Sequence, residues 1–159
     1  MKIEIEIEDQ GVITAELYPE IAPVTVDNFI GLIEENFFDG LIFHRVIPGF
    51  MIQGGGYDTD GNHKDAASIK GEFTSNGFKN DLKHERGVLS MARTMFPNSA
   101  SSQFFIMHDD APHLDGEYAA FGRVTDGMDI VDTIAEAPTG YGDKPVDDWV
   151  IATMRIVEE

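Results

Sequence analysis

The chain contains no cysteine. That absence excludes disulfides, thiolate nucleophiles and zinc sites built on sulfur, and it fits a reducing compartment. Basic residues are scarce: 11 Lys and Arg stand against 29 Asp and Glu, a formal net charge of −18. Nucleic acid is excluded as a partner, because affinity for phosphates needs clustered Lys and Arg, and anionic membranes are disfavoured for the same reason. The acidic excess reads either as a well-solvated surface or as adaptation to high internal salt, where screening tames self-repulsion. No stretch approaches the ~20 consecutive apolar residues of a membrane-spanning helix. Met1-Lys2-Ile3-Glu4-Ile5-Glu6 alternates charge with isoleucine, which is a strand pattern and not a secretory leader. The expectation is a cytoplasmic protein, not exported by a signal of its own. No linker, repeat or low-complexity segment divides the 159 residues, so a single domain over 1–159 is expected.

Ile3, Ile5 and Ile7 alternate with Lys and Glu, and after Asp9-Gln10-Gly11 the chain resumes with Val12, Ile13, Ala15 and Leu17, a hairpin opening an antiparallel sheet. From Val24 to Glu35, the residues Val26, Phe29, Ile30 and Ile33 recur at helical spacing, with Asp27 in the first turn and Asn36 just past the end. A second, shorter helix is expected after Asp126, whose carboxylate would cap it, with Met128, Val131, Ile134 and Ala135 on one face and Pro138 as its limit. Strands are expected at Ile42 to Val46, Met51 to Gln53, Gly87 to Ala92, Gln103 to Met107, Ala119 to Val124 and Trp149 to Val157. Residues Gly56 to Leu82 lack periodicity and read as one long loop. Many strands, few helices and no βαβ alternation imply a closed or sandwiched antiparallel sheet.

The densest chemistry lies between Phe43 and Gly55, FHRVIPGFMIQGG. Arg45, Met51 and Gln53 occupy odd positions, so on extended chain they project to one side, with Pro48-Gly49 bending the path between them. One face then offers a fork of hydrogen-bond donors beside apolar side chains and a neutral amide. The segment by itself is equally compatible with an ordinary amphipathic strand whose arginine makes a surface salt bridge.

A second segment, Gly87 to Phe105, reads GVLSMARTMFPNSASSQFF. Together with Leu114-Asp115-Gly116 and Phe121-Gly122-Arg123-Val124, it closely resembles the cyclophilins, a family of peptidyl-prolyl cis-trans isomerases. The resemblance covers nearly the whole chain, and its motifs are long and in the right order. It implies a mainly β fold, a closed eight-stranded antiparallel barrel capped by two α-helices. It also implies an enzyme that accelerates rotation about X-Pro bonds. That rotation breaks no bond, so no nucleophile, metal or redox cofactor is required.

Residue by residue, the resemblance gives Arg45 the catalytic position and Gln53 that of the groove glutamine, which would hold the guanidinium or bond the substrate backbone. Phe50, Met51, Phe105 and Leu114 match the pocket for the proline ring, and Ala92 and Gln103 match groove positions along the substrate backbone. Arg93 falls where many relatives carry asparagine, a change that a main-chain contact survives. Phe104 should point the other way, into the core, since neighbours on a strand alternate. Two substrate-binding positions depart from the best-known eukaryotic members: His113 stands where they have tryptophan and Tyr118 where they have histidine. Cyclosporin is therefore expected to bind weakly, proline-containing polypeptides to be the partners, and the protein to act as a monomer. The rival reading is a proline-segment-binding adaptor or holdase with incidental catalysis.

Other clusters carry less. Asp58-Thr59-Asp60-Gly61-Asn62 begins like a calcium loop, but His63 and Ile69 occupy the positions that need Gly and Glu. His108, Asp109, Asp110 and His113 could in principle hold a divalent metal, though such turns are usually solvated. Ser99, Ser101 and Ser102 lack a nucleophile elbow or a paired base, and read as turn and strand-entry residues.

Overall fold

A computed structural model describes residues 1–157 of the chain; residues 158 and 159, the last two of the expected single domain, lie outside the described residues. The opening hairpin forms as its alternation dictates. β1 (Lys2–Ile7) pairs antiparallel with β2 (Gly11–Leu17), and Ile3, Ile5, Ile7, Ile13, Ala15 and Leu17 are all buried while their charged neighbours face water. The remaining strands are β3 (Leu41–Ile47), β4 (Met51–Asp58), β5 (Val88–Met91), β6 (Phe104–Met107), β7 (Ala120–Asp126) and β8 (Ile151–Val157). All pair antiparallel in one eight-stranded sheet of order β3-β4-β6-β5-β7-β2-β1-β8.

The barrel is less completely closed than the resemblance implies. Among the described residues its edge strands meet only near one end, through an Ile42–Val150 bridge flanked by bonds from Gly40 N–H to the Ile151 carbonyl and from Phe43 N–H to the Trp149 carbonyl. Trp149 accordingly lies just ahead of β8 and not on it.

Two helices cover the inside. α1 (Pro23–Glu34) and α2 (Met128–Ala135) bury Val26, Phe29, Leu32 and Ile33, and Ile130, Val131 and Ile134, against the sheet. Phe104 sits at the centre of this core, with ring centroids 5.4 Å from Phe29, 5.8 Å from Phe38 and 5.9 Å from Phe43.

Both helices start within a residue of where they are expected, but the acids expected at their first turns are revised. α1 begins at Pro23, whose missing N–H costs nothing at a first turn, so Asp27 falls beyond that turn. The acid at this end comes from the long loop: buried Glu72 accepts from the Thr25 amide and hydroxyl, both at 2.7 Å. Asp126 does not cap α2, because it ends β7 and Gly127 intervenes at φ +91. A Cβ on Gly127 would stand 2.7 Å from the Val12 carbonyl, so close approach to β2 fixes that position as glycine. Asn36 does end α1 as expected, at φ 57.

Candidate active site

The site is built on the outer face of the sheet. Even-numbered Ile52, Phe104 and Ile106 point into the main core, whereas odd-numbered Met51, Phe105 and Met107 join a second cluster with Val88, Ala111, Leu114 and Ala120. Strand register then does what sequence spacing cannot. Arg45 on β3 pairs with Gln53 on β4, Gln53 with Phe105 on β6, and Phe105 with Ser90 on β5, a row across four strands.

On this face a pocket is lined by Arg45, Phe50, Met51, Gln53, Ala92, Arg93, Phe105, Leu114 and Tyr118. Its floor is apolar, with Met51, Phe105 and Leu114 buried, and its lip carries the Arg45 guanidinium. Gln53 holds a chain of amides: its Oε1 lies 3.5 Å from Arg45 Nη1 and its Nε2 donates to Gln103 Oε1 at 3.0 Å. Among the described residues no carboxylate comes within ion-pair distance of Arg45. The surface salt bridge of the alternative reading is therefore not made.

Two expected residues sit outside the pocket proper. Gln103 lines an adjoining recess with His63, Thr94, Ser99 and Ser101, and His113 packs its ring against Phe50, centroids 5.9 Å apart. Arg93 is used differently from its neighbours. Its Nε and Nη2 donate to the Glu117 carbonyl, its Nη1 to that of Thr94, and its guanidinium lies between the Phe73 and Tyr118 rings, 4.7 and 4.8 Å from their centroids. The side chain thus braces the groove wall.

Behind Phe105 lies a group that sequence reasoning missed. His84 stacks on the Phe105 ring at 6.0 Å and 21°, bonds Ser90 Oγ through Nε2 at 2.8 Å and Asp115 Oδ1 through Nδ1 at 3.1 Å. Burial lowers the His84 pKa, against the pull of Asp115. The trio has the residue types of a hydrolytic triad, but His84 and Ser90 are both buried and no substrate can reach the serine. It supports the pocket floor. The only sequence signal was Asp115 within Leu114-Asp115-Gly116, and its partner lies 31 positions away.

The weaker clusters disperse. Asp58 Oδ1 accepts from the Asp60 and Asn62 amides, and among the described residues no three His, Asp or Glu side chains converge as metal ligands. Ser99 and Ser102 bond main chain: Ser99 Oγ donates to the Phe96 carbonyl and Ser102 Oγ to that of Gly55.

A family model described as cyclophilin type peptidyl-prolyl cis-trans isomerase/CLD matches residues 2–156. A protein of Acinetobacter baylyi named peptidyl-prolyl cis-trans isomerase is 51% identical over 139 residues, spanning 83% of this chain and 71% of its own. A peptidyl-prolyl cis-trans isomerase-like 1 of Aspergillus oryzae is 41% identical over 150 residues, 94% and 91% of the two chains. Among solved structures, a cyclophilin type peptidyl-prolyl cis-trans isomerase of Cryptosporidium parvum matches with a TM-score of 0.87 at 31% identity, over 99% of this chain and 98% of that one. The same protein crystallised in the presence of the dipeptide Ala-Pro matches with a TM-score of 0.84 at 31% identity, over all of both chains.

Proposed function

The chain belongs to the cyclophilin-type peptidyl-prolyl cis-trans isomerases, and from that premise we propose that Arg45 and the pocket beside it are the machinery that turns the X-Pro bond. Resonance sets a barrier of about 18–20 kcal/mol to rotation. Proline narrows the cis/trans gap but leaves the exchange slow, at tens to hundreds of seconds. Each tenfold acceleration needs about 1.4 kcal/mol of binding that the twisted amide receives and the planar forms do not. As the amide twists, its nitrogen regains a lone pair and becomes an acceptor. A guanidinium at the pocket lip donates to it only then. Phe50, Met51, Phe105 and Leu114 hold the proline ring, whose edge has no polar group to satisfy. Gln53 orients the donor, and Ala92 and Gln103 lie along the flanking backbone.

The observation that carries this reading is the exposed Arg45 cation, without a carboxylate partner among the described residues, at the edge of an apolar pocket in a strongly acidic protein. A holdase would gain nothing from a donor aimed at the twisted nitrogen, so incidental catalysis is not favoured. Exchange NMR on an X-Pro peptide tests the reading: acceleration over the uncatalysed rate is expected, and binding without acceleration would contradict it. The partners proposed are flexible, proline-containing chains, met by a monomer in the cytoplasm. The lack of cysteine and the self-repelling charge support those two particulars.

The reading includes weak binding of cyclosporin. His113 offers less apolar area at the rim than the indole found there in the best-known relatives. Loss of an aromatic anchor commonly costs about 2 kcal/mol, a factor of roughly thirty in affinity. An inhibition titration should show His113→Trp markedly more sensitive than wild type. Equal inhibition of the two would remove His113 as the determinant.

A further inference from the structure

Of the four residues that sequence reasoning grouped as a possible metal turn, His108 is held from several directions. Its main chain extends the β4–β6 ladder, the amide donating to the Phe50 carbonyl at 2.9 Å, while its own carbonyl accepts from Arg86 Nη1 at 2.9 Å. Its ring is mostly buried, the side chain 14% exposed, and lies between two partners. Nε2 stands 3.1 Å from Asp132 Oδ1 on α2, and Nδ1 accepts the Gly49 N–H at 2.8 Å. The two contacts agree on one tautomer. The carboxylate takes the Nε2–H, which leaves the Nδ1 lone pair free to accept from Gly49.

Asp132 is itself oriented, bound in bidentate fashion by Arg86 at 2.7 and 2.8 Å. Gly49 belongs to the tight turn between β3 and β4, closed by Phe50 N–H to the Ile47 carbonyl at 3.0 Å. That turn carries Phe50, a wall of the proline pocket, and it is otherwise exposed, with a left-handed glycine at φ +78.

We infer that His108 is a positioning residue for the isomerase, fixing the Phe50 turn to α2 through Gly49 N–H···His108···Asp132 and so setting the shape of the proline pocket. The inference rests on reading that pocket as the prolyl site. Phe50 meets a ring that is present in ground and twisted states alike, so loosening it weakens both equally. The signature is a raised KM with little change in kcat.

Two near-isosteres separate the contacts. Asparagine at this position presents its carbonyl oxygen where Nδ1 stands, and glutamine presents its amide near Nε2. His108→Ala and His108→Gln should raise KM for an X-Pro tetrapeptide by about three- to tenfold, the scale of one net hydrogen bond. His108→Asn should restore most of it, and kcat should hold throughout. Amide exchange should show Gly49 protected in wild type and His108→Asn, and unprotected in the other two. In the wild-type protein alone, a scalar coupling between Gly49 15N and His108 15Nδ1 should be detectable. Equal KM for His108→Asn and His108→Gln, an unchanged KM in His108→Ala, or a freely exchanging Gly49 amide in wild type would overturn the inference. Absence of any isomerase activity in wild type would instead overturn the reading on which it rests.

Discussion

His44 adjoins Arg45 in sequence where β3 shifts register against β4, and its ring lies 4.7 Å from that of Tyr57. Its Nδ1 is buried without a partner among the described residues, and its pKa is lowered from 6.5 to about 4, first by burial and then by the positive charges of Arg45, His63 and Lys144. The unfolded chain therefore binds more protons between those values. The contribution of the neutral ring to stability is complete above about pH 6.5 and is lost as pH falls toward about 4. His84, also lowered by burial, acts in the same direction. Relative to wild type, His44→Phe should gain at least ~2 °C in melting temperature on going from neutral to mildly acidic pH, because phenyl takes up no proton. A difference that stays constant with pH would show that His44 does not carry this dependence. Residue identities on the strands were legible in sequence because alternation decides them: Phe104 points in and Phe105 out, as period 2 requires. His84 was not legible, since its meaning depends on Asp115 and on the Phe105 ring, contacts made by folding and not by spacing.

At the scale of elements, β4 does the most to organise the site. The expected strand ended at Gln53, but it continues through Gly54, Gly55 and Gly56 to Asp58 and so takes the first residues of the expected long loop. Glycine ordinarily weakens a strand. Here close contact selects glycine: a Cβ on Gly54 would sit 2.8 Å from the Ile42 carbonyl, and one on Gly56 2.5 Å from the Gln103 side chain, which would have to move. Gly56→Ala should therefore displace Gln103 and loosen the Gln103–Gln53–Arg45 chain of amides. Its kcat/KM should fall by about two- to tenfold, the scale of one or two weakened hydrogen bonds. Unchanged activity in a folded Gly56→Ala protein would show that Gln103 does not support the donor. Existence and order of the elements were readable from hydrophobic period. The groups that cap the helices were not, because Glu72 reaches Thr25 from a distant loop and Gly127 is selected by the backbone of β2.

For the whole molecule, the acidic excess bears on both stability and site. Several of the few cations are spent on carboxylates: Arg86 on Asp132, Arg123 on Glu85, and Arg155 on Glu4 and Glu6. Such surface pairs contribute little each, typically under about 1 kcal/mol. The net charge of −18 remains largely uncompensated. If that charge is an adaptation to salt, melting temperature should rise by several degrees between low and molar KCl as like-charge repulsion is screened. A flat response would leave a merely well-solvated surface. Composition could show the excess of acid. Only the strand register could show that Arg45 stands apart from it, beside Gln53 at the lip of an apolar pocket.

The most direct measurement is kcat/KM of Arg45→Ala on an X-Pro peptide, with a melting curve to establish that the barrel is intact. The role proposed for Arg45, a donor that bonds only the twisted amide nitrogen, predicts a loss on the order of 10²-fold or more, the range for removing one transition-state donor. Turnover near the wild-type value in a folded Arg45→Ala protein would contradict the mechanism.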